Sequence, residues 1–448
     1  MRYLNASDHR WLCIENDNNP LQIGALIFLS CEGSPVDEFV ARARQHLIAR
    51  LPNTPWQVKY AQAPFDIDSG AWLDVGEVDI DRVTNTWPAS ATMQDIKQYV
   101  CEQVMLPLPR DRPPFRVTFF PYLDQSLKAF GDVAMLVQHH HAVADGIGFQ
   151  SALDALMDDS AHSEPKTASL PKREHRPIAP IYMVQSLFRS RAVKRAEESR
   201  DLERAQAASE LEMLRADPAF KRQRTPELAM LEGATQRERT YGFVELDLTH
   251  VKQRSRELGG TVNDFIMTVI GGATRRYLAQ VGALNELGEK SVIGLMPRSL
   301  RTADDGLYGN YLTMVLPSLG TQIEDHVERF ALVQKSIRAE IRRSQLTLQS
   351  VPKYEKPFTA RQRLKPEVGT SAGNLSVSNV PGPDSPRWFA GYRMLANFPT
   401  PSLVAGQLMN VTLRRYCNSL QLGLMSEPSK ISDPDQFASL ILGVAAEI

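Results

Sequence analysis

A chain of 448 residues with 43% apolar and 23% charged residues has the size of two ordinary domains and the balance of a globular protein. Its net charge of −1 excludes the basic balance of a nucleic-acid binder. The longest nearly apolar runs, Ile23 to Cys31 and Phe265 to Ala273, are too short to span a bilayer, and MRYLNASDHRWL at the start holds no apolar stretch of signal-peptide length. Cys13, Cys31, Cys101 and Cys417 lie far apart with no CxxC spacing, which reads as free thiols in a reducing cytosol. In chain order, Asn5, Ser7 or Asp8 is placed to cap a short helix through Ile14. Asn19-Pro20 marks a turn before a strand over Ile23–Cys31. Phe39, Val40, Ala43, Leu47 and Leu51 recur at helical spacing over Val36–Leu51. A helix over Gln94–Met105 cannot continue through Pro107, Pro109, Pro113 and Pro114, and Arg116–Leu123 then reads as a strand.

The most informative stretch is VAMLVQHHHAVADGIGFQSALDALM, Val133 to Met157. Its first residues are apolar at successive positions, so the strand is covered on both faces. Three histidines end it, Asp145 and Gly146 make the turn, and Phe149, Leu153, Leu156 and Met157 recur as a helix face. Polar chemistry at the end of a buried strand is where open α/β sheets place a site. Strand alternation puts His139 and His141 on one face and His140 on the other. Asp145 is placed to pair with an arginine or orient a ring, and Gly146 allows positive φ or close backbone packing. A histidine here suits general-base work.

Beyond it, Ser163 to Pro180 is rich in proline, serine and charge and reads as a crossover between domains. Ile181, Val184, Leu187 and Phe188 form an apolar face followed by Arg189, Arg191, Lys194 and Arg195. That pattern fits either a packed linker helix or one lying in a membrane interface. Phe243 to Leu248 alternates as a strand, and a helix follows over Leu248 to Leu258. Asn263 and Asp264 open an apolar helix over Phe265–Leu278, where either satisfies free backbone amides. Three other chemistries are weak. His139 and His141 alone are too few ligands for a firm metal site. No GxSxG nucleophile elbow is present. Gly146 to Ser151 is a near miss to a dinucleotide fingerprint.

HHAVADG, His140 to Gly146, resembles the HHxxxDG signature of the coenzyme A-dependent acyltransferases. Further matches keep their order along the chain. Asp8-His9-Arg10-Trp11-Leu12 stands for DxxFL, Pro20 to Gly24 for PMHVG, and Pro113-Pro114-Phe115 for PLW. The stretch from Val262 to Leu278 follows VNDxxxxxxxxAxRRYL. Met296 to Arg301, Tyr308-Gly309-Asn310, the SNVPGP run from Ser378 to Pro383, and Asn410-Val411-Thr412 complete the set. On these residues the chain resembles the bacterial wax ester synthase/diacylglycerol acyltransferases.

The resemblance implies an α/β fold of two chloramphenicol-acetyltransferase-like domains with mixed sheets and helices and an active-site tunnel at their interface. It divides the chain into an N-terminal domain over residues 1–165, a crossover over 166–240 and a C-terminal domain over 241–448. It implies O-acyl transfer from a long-chain acyl-CoA to a fatty alcohol or diacylglycerol. Within it, His141 is the general base, His140 supports the turn, and Asp145 pairs with an arginine, Arg298 or Arg301. Asn263 is the candidate donor to the oxyanion. Gly146, Asp264, Asn379, Pro113 and Phe115 position the structure or the substrate. No metal and no cofactor beyond acyl-CoA as a substrate is expected. The expected setting is cytoplasmic, with peripheral contact to a membrane or lipid-inclusion surface. Rival readings are a related acyltransferase with another alcohol or an amine as acceptor, and a non-catalytic lipid-binding protein.

Overall fold

Two sets of strands, one led by each half of the chain, bury apolar side chains on both faces and frame the molecule. The computed structural model describes residues 2–63, 69–161, 188, 201–217, 223–233, 235–302, 305–306, 308–350 and 371–448. Strand β1 (Arg2–Tyr3) leads to helix α1 (Ala6–Ile14), which is capped by Asn5, whose side chain accepts from the Asp8 N–H. β2 (Gln22–Ser30) follows the Asn19-Pro20 turn. The helical pattern after Val36 begins as a 3-10 turn and becomes α2 (Phe39–Arg50). β3 (Val58–Ala61), β4 (Ala71–Asp74) and β5 (Thr84–Thr86) are short, and α3 (Met93–Val104) starts in a capping box of Thr92 and Asp95. β6 (Phe115–Phe120) stops before Pro121, earlier than the alternation suggests, because proline has no N–H to continue a ladder. β7 (Val133–His140) runs into α4 (Gly146–Leu156).

The rest of the chain supplies α5 (Asp201–Ala216), β8 (Thr240–Asp247), α6 (Leu248–Glu257), α7 (Val262–Gln280), β9 (Gly294–Ser299) and β10 (Leu312–Val315). It ends with α8 (His326–Ser350), β11 (Leu375–Val380), β12 (Trp388–Phe389), β13 (Tyr392–Thr400), β14 (Met409–Tyr416), β15 (Ser419–Ser426) and α9 (Pro434–Glu447).

The first six-stranded sheet has the order β12-β13-β2-β7-β6-β5, and the second β10-β9-β11-β14-β15-β8. Both are mixed. β5 and β6 are parallel in the first, as are β9, β11 and β14 in the second. This is an α/β fold of two sheet-rich domains. One feature was absent from the sequence pattern. β12 and β13 come from residues 388–400, assigned by chain order to the second half, yet β13 hydrogen-bonds along β2 in the first sheet and carries β12 on its outer edge. β13 also packs on β14 and β15, so it ties the two halves together. Gly423 permits that approach: a Cβ there would lie 1.8 Å from the Pro399 carbonyl oxygen.

β7 shows why the central strand reads as apolar throughout. Val133, Met135 and Val137 join the core under α2 and α4, while Ala134 and Leu136 join the core under α3. A third core fills the space between the second sheet and α6, α7, α8 and α9. Burial of side chains of this size contributes roughly 1.5–3 kcal/mol each. The four cysteines are free thiols. Of the proposed surface helix over Ile181 to Arg195, only Phe188, which is exposed, lies within the described residues. No helix among the described residues is long and apolar enough to cross a membrane.

Candidate active site

β7 delivers three consecutive histidines to three different environments. His139 is fully buried, and its Nδ1 accepts from the Trp56 indole N–H at 3.2 Å. Its ring packs on Phe149 at 4.7 Å, and burial, then the neighbouring histidines, push its imidazole well below the usual range. It is therefore a neutral core residue. Phe115 stacks on the other side of Trp56 at 5.0 Å, and the Pro114 carbonyl accepts from the His140 N–H at 3.0 Å. The Pro113-Pro114-Phe115 run is thus buried packing that starts β6 beside the histidines. His140 Nδ1 accepts from the Ala142 N–H at 3.0 Å, which closes the turn, and its Nε2 faces Glu15 Oε1 at 3.5 Å. Burial pushes the Glu15 carboxyl up, but His140 and Arg110 together hold it below its ordinary value.

His141 is the first residue past the strand, anchored by its N–H to the Leu21 carbonyl at 3.0 Å. Its ring stacks on Trp11 at 4.0 Å, with 15° between the planes. Its Nδ1 lies 2.8 Å from Asn310 Oδ1. The Asn310 amide is oriented by its other contacts: Nδ2 donates to Asp8 Oδ1 at 2.9 Å and to the His141 carbonyl at 2.8 Å. Oδ1 therefore accepts, Nδ1 carries the proton, and Nε2 keeps its lone pair. Burial pushes the His141 imidazole below the ordinary histidine range, while Asp145 and the Asn310 bond pull the other way. The neutral, Nδ1-protonated ring is the form a general base requires. Behind Asn310, burial raises the Asp8 carboxyl to about 6 in spite of Arg2 and the Asn310 bonds.

Asp145 does structural work on both sides. Its Oδ1 accepts from the Gly148 N–H at 2.9 Å, which caps α4, and from Arg301 Nη2 at 3.0 Å. Its Oδ2 accepts from the Tyr311 N–H at 3.0 Å. Arg301, one of the two expected partners, also donates to the carbonyls of Tyr308 and Gly309, at 3.2 and 2.7 Å. Gly309 has φ +85, so the Tyr308-Gly309-Asn310 loop needs a residue without a side chain there. The loop is clamped from several directions, and the clamp holds Asn310 against His141. Gly146 serves close packing: a Cβ on it would lie 2.9 Å from Val380 Cγ2.

His141, Asp145 and Gly146 line a cavity that opens to solvent. Ile23, Gly24 and Phe149 continue the wall from the first half; Pro297, Ser299, Leu312, Ser378, Asn379 and Val380 close it from the second. Asn379 Nδ2 donates to Asn263 Oδ1 at 3.0 Å. Asn263 is one step behind the wall, with its Nδ2 3.9 Å from Met296 Sδ. Asp264 is nearly buried and caps α7, accepting from the Thr261 N–H and hydroxyl, both at 2.8 Å. Trp11 and Asn310 have no role in the sequence reading and Asp8 has only that of a candidate cap, a place Asn5 takes instead. The signal was there, since all three fall in the DxxFL- and GN-like stretches, but their convergence on His141 spans the whole fold.

Residues 4–266 match the wax ester synthase/diacylglycerol acyltransferase catalytic domain, and residues 308–443 match the C-terminal domain of the same proteins. The chain is 22% identical over 445 residues to the O-acyltransferase WSD of Acinetobacter baylyi, covering 95% of this chain and 92% of that one. It is 26% identical over 460 residues to a putative diacyglycerol O-acyltransferase of Mycobacterium tuberculosis, with the same coverage of 95% and 92%. Its fold is similar to the wax ester synthase/diacylglycerol acyltransferase of Marinobacter aquaeolei VT8, with a TM-score of 0.67 at 19% identity over 100% of this chain and 98% of that one. It is also similar to the starter condensation domain of rhizomide synthetase, with a TM-score of 0.59 at 14% identity over 99% and 94% of the chains. With both halves matched and the histidine turn, its clamp and the cavity in place, the chain belongs to the wax ester synthase/diacylglycerol acyltransferase family.

Proposed function

We propose that the chain moves a long-chain fatty acyl group from acyl-CoA to the hydroxyl of a fatty alcohol or diacylglycerol, with His141 as general base. The observation that carries this reading is the Nδ1–H to Asn310 bond, which leaves the Nε2 lone pair of a cavity-lining imidazole to take a proton. The acceptor O–H gives its proton to Nε2 as its oxygen bonds to the thioester carbonyl carbon. The carbonyl oxygen becomes an oxyanion, and when the carbon–sulfur bond breaks, coenzyme A leaves and receives that proton as a thiol. The ester and the free thiol are the products, and the histidine returns to its starting form. General-base assistance of this kind contributes about 10²–10⁴-fold.

An oxyanion needs a donor that does not titrate. In this reading Asn263 is the donor from one step behind the wall: its carbonyl oxygen accepts from Asn379, and among the described residues its amide nitrogen meets only the Met296 thioether. Asp145 and His140 act through structure, by fixing the turn and the Asn310 loop. Peripheral contact with a membrane or lipid inclusion belongs to the same reading, since acceptor and product are lipids. Vesicle flotation that leaves the protein wholly in the soluble fraction would remove that part.

His141→Ala tests the centre of the proposal. The variant is expected to keep its thermal unfolding close to the wild type and to lose about 10²–10⁴-fold in thiol release from palmitoyl-CoA with hexadecanol. Unchanged turnover would exclude His141 as the base. A panel of hexadecanol, diacylglycerol, short alcohols and amines identifies the acceptor class, and a preference for amines would overturn the ester-forming reading.

A further inference from the structure

One wall of the cavity is made by β14. Asn410, Thr412 and Arg414 face the cavity, while Met409, Val411 and Leu413 alternate into the core of the second domain. Two of the three polar residues are held by neighbours. Asn410 Nδ2 donates to the Ser402 carbonyl at 2.6 Å, and the Thr412 hydroxyl donates to Asn410 Oδ1 at 3.2 Å.

Arg414 is different. It is 2% exposed, and its guanidinium has one hydrogen bond, from Nη1 to the neutral amide oxygen of Asn397 at 2.7 Å. The cation sits over the Phe149 ring at 5.4 Å, and Nε has no partner. No acidic side chain among the described residues contacts it; Asp154, exposed on α4, acts on it only through its field. Burial lowers the guanidinium to about 10, which still leaves it charged at neutral pH. Burying a cation without a counter-ion is expensive, and a folded chain keeps such a group where something else supplies the charge. Thr400, also on the cavity wall, is fully buried, and its hydroxyl has no partner. Unused donors of a buried cation and a buried hydroxyl thus line the same cavity as His141.

We propose that this arm of the cavity is a carboxylate subsite, holding the far end of an acceptor whose hydroxyl reacts at His141. The inference rests on the acyl-transfer reading and names its substrate class: a hydroxy acid in place of a plain alcohol. The second amino group of Arg414, which makes no hydrogen bond, offers the donor that a carboxylate accepts, and Nε and the Thr400 hydroxyl, sealed behind the wall in this structure, add to it only as the wall opens to the bound group. A carboxylate fits better than a phosphate, because Arg414 is the one arginine or lysine on the described wall and balances a single negative charge. The phosphates of coenzyme A do not fit here, because the group is inside the cavity and a nucleotide needs a broad exposed surface. The carboxylate takes no part in the transfer, so the bonds made and broken are those of the proposed reaction.

The test compares ω-hydroxy acids of short, medium and long chain with their methyl esters as acceptors for palmitoyl-CoA. In the wild-type chain the best acid is expected to exceed its ester in kcat/KM by about tenfold or more. Arg414→Met is expected to bring that ratio close to one, and Arg414→Lys to keep part of it. Equal rates for acid and ester in the wild type, or an unchanged ratio in Arg414→Met, overturn the inference. An ω-carboxyacyl-CoA offered with hexadecanol is the second arm: a charge preference seen there instead overturns the assignment to the acceptor. Calorimetric titration of acid and ester, without acyl-CoA, reads binding apart from turnover. Selective binding of the acid, lost in Arg414→Met, supports the subsite even if no acceptor releases thiol, a result that would sink the proposed reaction alone. Equal binding of acid and ester overturns the subsite even if hexadecanol reacts. If Arg414→Met fails to fold, the wild-type comparison and the lysine variant decide.

Discussion

The two ends of the cavity differ in how their lining groups are held, although buried atoms such as His140 Nε2 and Arg301 Nε also go without a hydrogen-bond partner beside the His141 end. Around His141, the ring Nδ1, the whole Asn310 side-chain amide and both Asp145 oxygens are hydrogen-bonded within the protein. Toward β13 and β14, Arg414 Nε, the Thr400 hydroxyl and both amide atoms of the nearly buried Gln138 have no partner. Gly24 adjoins two of these, since a Cβ on it would lie 2.6 Å from the Thr400 hydroxyl and 3.1 Å from Gln138 Cγ. The lesson is one of preorganisation. Groups that must hold one tautomer and one angle are bonded before any substrate arrives. Buried groups that spend nothing on the protein keep their capacity for a ligand.

Breaking the bonded end has the largest expected effect. Asp145→Ala removes a helix cap and leaves Arg301 without its carboxylate, so it is expected to cost about 3–5 kcal/mol in chemical denaturation. A loss under about 1 kcal/mol would mean that the clamp is not what holds the loop. Asn310→Ala is next. It frees the imidazole to take the other tautomer, and kcat is expected to fall about 10–100-fold, a loss of roughly 1.4–2.7 kcal/mol, with KM little changed. A rise in KM at constant kcat would instead assign Asn310 to substrate binding.

Titration separates Asp8 from His141. The His141 ring is depressed below the unfolded value, so the unfolded chain binds the extra proton first; its contribution to stability is present at neutral pH and lost as pH falls below about 6.5. Activity is expected to fall on the same acid side. Asp8 has the opposite sign: its carboxyl rises from 3.8 to about 6, so the folded chain holds the proton longer and stability is lost as pH rises through that window. Asp8→Asn keeps an oxygen for Asn310 and removes that cost. It is expected to gain roughly 1–3 kcal/mol at pH 7–8 while kcat drops, because the charge behind the developing imidazolium is gone. A variant equally stable at all pH values would break this account. The smallest effect is expected at the unbonded end. Thr400→Val removes a buried hydroxyl that bonds to nothing, so thermal unfolding is expected to shift by no more than about 1 kcal/mol in either direction. A large loss there would show that the hydroxyl is satisfied within the protein.

Much of the site could be read along the chain, and the parts that could not share one feature. The β7–α4 unit is local: apolar residues on both faces, three histidines, a capping aspartate and a glycine follow one another within a single turn of chain. Arg301 could be narrowed to one of two arginines but not chosen, because the pairing spans 156 residues. Asn263 and Asp264 looked alike in sequence. The structure separates them, since Asp264 sits three residues past Thr261 in a capping box and Asn263 reaches Asn379 instead. Trp11 and Asp8 sit in a short helix whose pattern says only that it is capped. Their meeting with His141 and Asn310 depends on how that helix lies across the end of the first sheet.

The sequence by itself determined strands β2, β6 and β7 of the first sheet, the turn that carries His141 and the family to which those motifs belong. Periodicity, caps and turn residues act over a few residues, and a linear pattern records them. Only the tertiary structure decided that β13 would cross into the first sheet, which tautomer His141 would hold, and that Arg414 would face a cavity without an acid beside it. Each of these is a balance of burial and hydrogen bonding between segments far apart in the chain, and no local pattern encodes which distant group will be there to answer.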